Sequence, residues 1–362
     1  MMKLKQLLTC LLLLSVVSSP VMAEKAPEPT KPAISSQNTQ PEPSSAATTV
    51  TPEPPQPPQP PTWEELYNSA LAAYKMKQFS EAAETGQQAL KLAEEKFGPQ
   101  HLNTAKSMDI LASAYKAQGK AHDSEVLYAK AIDVYKKELG EEHQLVAAAL
   151  NSLGEAYVLQ GSVEEGRILF EKSIAIYKKV LGQSHPDIAA PLKNLAELYY
   201  LKGKYFKAES LYEEALSIDE KFLGKDNAEI VPTLNILGEL YSFHGKYDKA
   251  EACSKQAIAI CERAYDREHP YYATALTNLA DIYFSQGKYP KAEPLYKQAI
   301  PIYKKVLGID HPSVIKTMMQ LSNLYKRMGR KSDATRVDNE IKAIRAGTVK
   351  EKPGRDREEE SE

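Results

Sequence analysis

The sequence predicts an all-α fold, a solenoid of about seven helix-turn-helix pairs, and three observations carry that prediction. The chain repeats itself every 42 residues between 62 and 345. Each unit holds two glycines, one series at Gly98, Gly140, Gly182, Gly224 and Gly308 and the other at Gly119, Gly161, Gly203, Gly245, Gly287 and Gly329, with helix-forming residues between them. Small residues also recur in register inside those helices, which marks the lines along which helices approach one another.

The chain begins with Lys3 and Lys5, an apolar run from Leu7 to Val17, Pro20 and the small-residue exit Val21-Met22-Ala23. That pattern is expected to be a secretory signal peptide, residues 1–23, cleaved after Ala23. An apolar run of about 11 residues is too short to span a bilayer, which needs roughly 20. No later segment reaches that length, so membrane insertion of the mature chain is not expected. Residues 24–61 are rich in Pro, Thr, Ser, Glu and Gln and end in TPEPPQPPQPP. They cannot bury a core, and as a polyproline-type linker they would reach up to roughly 120 Å at about 3.1 Å per residue. Residues 346–362 are charged and apolar-poor, a solvated tail. The expected organisation is therefore 1–23 leader, 24–61 linker, 62–345 repeats and 346–362 tail, with the mature protein periplasmic or secreted.

Charge excludes some functions. The formal net charge is −2, and loss of Lys3 and Lys5 takes 46 basic residues to 44 against 48 acidic ones, so nothing favours nucleic acid or an anionic membrane surface. Two cysteines follow the leader, Cys253 and Cys261. Eight residues apart on one helix, they would lie roughly 12 Å from each other, beyond the reach of a disulfide at about 7 Å, and are read as small buried apolar groups.

Each unit is read in order as first helix, turn, second helix, turn. The glycines suit the left-handed residue that ends a helix. Asp266 fills the glycine slot of one unit and Lys77 that of another. The next turn often reads His-Pro, as in His185-Pro186, His269-Pro270 and His311-Pro312, where proline pre-sets the first helical turn. In the first helices one column reads Ala70, Ala112, Gly154, Ala196, Gly238, Ala280, Ser322. In the second helices two columns read Ala82, Ser124, Gly166, Ala208, Ala250, Ala292, Ala334 and Ala89, Ala131, Ser173, Ala215, Ala257, Ala299, Ile341. A small side chain at each equivalent point lets backbones come close, and the column Tyr115, Tyr157, Tyr199, Tyr241, Tyr283, Tyr325 fills the space around them. Glu209, beside Ala208, is expected on an exposed face.

These units resemble the tetratricopeptide repeat, in a 42-residue variant similar to that of kinesin light chain. Residues 192–227, LKNLAELYYLKGKYFKAESLYEEALSIDEKFLGKDN, show it most clearly. The resemblance covers about 62–345, is degraded in the first pair, and in the last pair Lys331 and Asp338 replace aromatics. It implies a right-handed superhelix whose first helices line a concave groove that binds other proteins.

No phosphate-cradling glycine loop, HExxH, GxSxG or CxxC occurs, so neither an enzyme nor a cofactor is expected. His101, His143, His185, His269 and His311 recur at one point of successive units, spread at roughly 10 Å intervals. One zinc, with bonds of about 2 Å, could not gather them, so they are read as helix-start residues. The groove is the better candidate. One column of first-helix positions reads Glu155, Glu197, Glu239, Asp281, an acidic stripe suited to Lys or Arg on a partner. One turn earlier lie Asn151, Asn194, Asn235 and Asn278, whose amides could pair with the main chain of an extended peptide. One turn later, Tyr200, Phe243 and Phe284 would add apolar contact. The acidic stripe argues against the Lys/Arg/Asn clamp by which some tetratricopeptide proteins hold acidic tails. The function expected is a non-enzymatic scaffold or adaptor for a basic or neutral protein segment. The alternative is an exported sensor that closes round a small peptide or solute.

Overall fold

A computed structural model describes residues 60–265 and 267–348. The expected leader, residues 24–59 of the expected linker and Asp266 lie outside the described residues, as does the tail beyond residue 348. Among the described residues there are fourteen α-helices, two short 3-10 turns and no strand. In chain order the helices are α1 Trp63–Lys75, α2 Phe79–Phe97, α3 Leu102–Ala117, α4 Ala121–Leu139, α5 Gln144–Leu159, α6 Val163–Leu181, α7 Ala189–Leu201 and α8 Tyr205–Leu223. They continue with α9 Val231–Phe243, α10 Tyr247–Ala264, α11 Pro270–Ser285, α12 Tyr289–Leu307, α13 Pro312–Arg327 and α14 Lys331–Arg345. The 3-10 turns Pro186–Ile188 and Ala228–Ile230 precede α7 and α9. No described helix is long and apolar enough to cross a membrane.

The helix starts follow from the turn residues. Nδ1 of His101, His143, His185, His269 and His311 accepts a hydrogen bond from the backbone N–H two residues on, at 3.1 to 3.3 Å. In the unit that begins at Asn227, which lacks the histidine, the asparagine does the same with its Oδ1, at 2.8 Å from Glu229 N. An imidazole acceptor therefore takes the role usually played by Ser, Asp or Asn, satisfying an orphan donor of the first turn. The helix ends carry positive φ at the glycines, and Lys77, in the degraded first unit, is held at φ 61° without glycine's freedom.

The described residues form two compact units, 60–134 and 135–348. In the first, Thr62 and Glu65 form a reciprocal capping box on α1. Trp63 is buried, stacks on Tyr67, meets Phe97 edge-on and donates its indole N–H to Ser107 Oγ at 2.8 Å. In the second unit, consecutive helices pack as antiparallel pairs, and the first helices of successive pairs also touch, α9 against α11 and α11 against α13. Every member of the three small-residue columns is buried. The tightest point is the α5–α6 crossing, where a β-carbon on Gly154 would sit 2.7 Å from Phe170 Cε1 and one on Gly166 2.9 Å from the Gly154 carbonyl oxygen. Cys253 and Cys261 are both free thiols on α10, half-buried and buried, and burial pushes each up to about 11.

Candidate functional site

The eleven groove positions lie on α5, α7, α9 and α11, all within the second unit. The amides do not stand free. Asn151, 6 % exposed, donates from Nδ2 to Glu155 Oε1 at 3.0 Å. From the next repeat, Asn194 Nδ2 reaches both Asn151 Oδ1 at 3.0 Å and Glu155 Oε1 at 2.8 Å. Asn235, 5 % exposed, donates to the Tyr271 carbonyl at 3.2 Å, and Asn278 donates to the Asn235 carbonyl at 2.8 Å. The sequence expected these four amides to face an incoming peptide; instead each is engaged within or between first helices, although Asn278 is half-buried and also lines the cavity described below. First helices of neighbouring repeats come close enough that the amides cross-link them, as buried polar groups must find partners somewhere.

The acidic stripe is also partly consumed. The side chain at the facing position of each second helix decides which acids remain accessible. Where it is tyrosine, its hydroxyl donates to the acid: Tyr212 to Glu197 at 2.5 Å, and Tyr296 to Asp281. Burial raises the pKa of Glu197 against that hydrogen bond. Burial pushes Asp281 up to about 6, opposed by Tyr296, Lys316 and Gln320, whose Nε2 lies 2.7 Å from both carboxylate oxygens. Where the facing residue is Phe170 there is no donor, and Glu155 takes the amides instead. Where it is Ser254, the side chain is too short to cross. Its Oγ bonds the Ala250 carbonyl at 3.0 Å, and Glu239 stays exposed, accepting a hydrogen bond from the Tyr200 hydroxyl of the preceding pair.

The aromatic trio separates. Tyr200 is half-buried against Tyr205, ring centroids 5.5 Å apart, and Tyr205 packs on Phe243 at 4.7 Å. Phe243 itself is 67 % exposed. Phe284 is half-buried against the core beside Tyr289. Between α9, α11, α12 and α13 opens a cavity of about 320 Å³ whose wall includes Glu239, Phe243, Thr277, Asp281, Lys316 and Thr317. A second hollow of about 270 Å³, bounded by Phe284, Gln320 and Asn323, shares Asp281. Glu239, Phe243, Asn278 and Asp281 therefore converge on one cavity. Asn151, Glu155, Asn194, Glu197, Tyr200, Asn235 and Phe284 do not line it.

Two arrangements escaped the sequence reading. Glu209, expected on an exposed face, is 5 % exposed, with His244 Nδ1 at 2.5 Å from Oε2 and Lys246 on Oε1. Although burial raises its pKa, those two partners lower it further, and the net shift is downward. The tyrosine column, read as packing, also carries polar work. Tyr199, Tyr241, Tyr283 and Tyr325 donate to Glu171, Glu213, Glu251 and Glu293 of the preceding pair, at 3.4, 2.6, 3.1 and 3.1 Å. Lysines lie over the Tyr199, Tyr241 and Tyr283 rings. The recurrence of Tyr with Lys five residues on was visible in the sequence, but the glutamate partners fall at one repeat position for Tyr199 and Tyr241 and at another for Tyr283 and Tyr325, and so form no single column. Among the described residues no group of three His, Cys, Asp or Glu could hold a metal.

Comparison with curated protein sequences yields no match. Among solved structures, the fold is similar to a putative kinesin light chain from Podosopora anserina with nearly identical TPR-like repeats, at 27% identity, TM-score 0.48, covering 57% of this chain and 97% of that one. It is also similar to BtubC (BKLC) from P. vanneervenii at 22% identity, TM-score 0.53, with 68% and 94% covered. The apo form of RapI is similar at 13% identity, TM-score 0.63, with 80% and 77% covered. The sequence profile of the tetratricopeptide repeat matches in six overlapping windows, 64–137, 108–179, 145–221, 187–263, 229–305 and 273–346. With that profile spanning most of the chain and fourteen helices paired in its register, the protein belongs to the tetratricopeptide-repeat family.

Proposed function

We propose that this protein is a non-enzymatic scaffold or adaptor that holds an extended segment of a partner protein against the first-helix face of α9, α11 and α13. Tetratricopeptide repeats generally mediate protein–protein interaction, and the fold provides that face. The observation that carries the reading is Phe243, which leaves 67 % of its surface exposed on a helix whose other large apolar side chains are buried or half-buried, directly at the mouth of a polar cavity. An exposed aromatic beside a concave polar site is the composition of an interaction hot spot. The partner segment is basic or neutral, because Glu239 and Asp281 face the same opening.

A photo-reactive residue in place of Phe243 tests the site. It should capture a discrete partner in intact cells, whereas the same residue at Phe222, exposed at the end of α8, should not. Equal capture at both positions would remove the face from consideration. The same reading places the mature chain in the periplasm or outside the cell, starting at Glu24. N-terminal sequencing of protein recovered from the envelope fraction checks the cleavage, and an intact Met1 there would refute it.

A further inference from the structure

We propose that the cavity between α9, α11, α12 and α13 is a receptor for one guanidinium or ammonium group, the side chain of an arginine or lysine in the bound partner segment. The proposal deepens the reading above and rests on it for the source of the cation.

Three observations point to a cation rich in N–H donors. Four hydroxyls of the cavity wall are already committed as donors. Thr277 and Thr317, 7 % and 1 % exposed, spend their hydroxyl protons on their own helices, on the Ala273 carbonyl at 2.9 Å and the Ser313 carbonyl at 2.8 Å. Thr274 does likewise with Pro270 at 3.1 Å, and Tyr303 donates to Thr274 Oγ1 at 2.9 Å. What these groups leave for a ligand is lone pairs. Arginine and lysine carry five and three donors and no acceptor. Second, two carboxylates from different helices converge here, Glu239 of α9 and Asp281 of α11. Glu239 receives no tyrosine donor from its own pair, only the Tyr200 hydroxyl of the preceding one, and is the exposed member of the acidic column, so it is the acid most accessible to a foreign partner. Third, the one cationic group in the lining is Lys316, exposed on α13 and close enough to Asp281 to lower its pKa. Its single positive charge stands against two carboxylates, which leaves the wall with an excess of negative charge. Phe243 at the mouth would cover the aliphatic stem of the entering side chain or pack on its neighbour.

The geometry makes opposed predictions for residues of one wall. Removing a carboxylate should weaken binding, and removing Lys316, which competes for the same charges, should strengthen it. The probe is a capped, fluorescein-labelled peptide with phenylalanine followed by arginine among glycines and serines, titrated against the full chain by fluorescence polarisation. Versions with citrulline, the neutral isostere, or glutamate replace the arginine, and free methylguanidine serves as competitor. The arginine peptide should bind, with citrulline weaker by roughly 10- to 100-fold, the loss expected when a charge-assisted hydrogen bond is removed. Glu239→Gln and Asp281→Asn should weaken the arginine peptide alone, and Lys316→Gln should tighten it by roughly 3- to 10-fold. Glu239 and Lys316 are exposed, so those two variants keep the test sound even where Asp281→Asn disturbs folding.

Equal binding of the arginine and citrulline peptides, or preference for glutamate, overturns the cation receptor while leaving a peptide groove standing. If methylguanidine binds with the same dependence on Glu239 and Lys316 but no peptide does, the receptor stands, the cation comes from a free solute, and the scaffold reading falls. Absence of saturable binding by every cation up to about 1 mM overturns the proposal.

Discussion

Replacing Gly166 by alanine should destabilise the protein, although alanine is the better helix former. In a helix interior, Gly→Ala gains about 0.5–1 kcal/mol. At Gly166 the new methyl would lie 2.5 Å from Val158 Cγ2 and 2.9 Å from the Gly154 carbonyl oxygen on α5. The valine methyl can rotate away, but the carbonyl belongs to helix backbone, so α5 and α6 must part. That would loosen the neighbouring contacts, including the Ser173 hydroxyl on the Ala147 carbonyl at 2.8 Å. Overpacking of this kind costs roughly 1–3 kcal/mol, and the net should be a loss of about 0.5–2 kcal/mol after the propensity gain. Gly86 is the internal control. It is also buried in a second helix, but its β-carbon would meet Leu111 Cα and Cβ at 3.5 Å, ordinary contact. Gly86→Ala should therefore stabilise by about 0.5–1 kcal/mol. Urea titrations followed by circular dichroism would read both, with slope and midpoint compared together because repeat arrays do not always unfold in one step. If Gly166→Ala stabilises as much as Gly86→Ala, the two helices do not cross at β-carbon distance and the packing argument fails.

Other expectations follow from single sites. Lys77→Gly should raise stability by about 0.5–1 kcal/mol by relieving a left-handed residue at φ 61°, net of glycine's added freedom in the unfolded chain; a lower melting midpoint would contradict it. Glu209→Ala should cost roughly 1–3 kcal/mol, similar to Ala208→Leu, because it strips a buried carboxylate from His244 and leaves that imidazole without its partner. A loss under about 0.5 kcal/mol, the range of surface substitutions, would restore the exposed-face reading. For Asp281 the folded pKa of about 6 lies above the ordinary value, so the folded state binds a proton more tightly than the unfolded one. Its contribution to stability is present below pH 4 and falls as pH rises towards 6. Asp281→Asn should therefore look more favourable relative to the parent at pH 8 than at pH 5, by on the order of 1–3 kcal/mol. A difference that does not change with pH between melts at those two values would refute it.

The paired helices, their order, the small-residue columns and the histidine helix starts were legible in the sequence. Each follows from local chemistry repeated in register: a glycine that can adopt positive φ, an acceptor two residues before a free N–H, or a side chain small enough for a close backbone. Repetition multiplies such weak signals, so the 42-residue period alone determined that the chain is a series of helix pairs. What it could not determine is which polar residues are spent inside the protein. Asn151 and Asn194 lie in different repeats, yet they share Glu155 through hydrogen bonds of 2.8 to 3.0 Å. Glu197 and Glu239 occupy equivalent positions and look identical in sequence, but Tyr212 faces one and Ser254 the other. The first carboxylate is drawn into the structure and the second left outside. Glu209 and its neighbours followed the same logic. A column of like residues fixes where side chains start, whereas their fate depends on what the adjacent repeat places opposite them, and that only the tertiary packing decides.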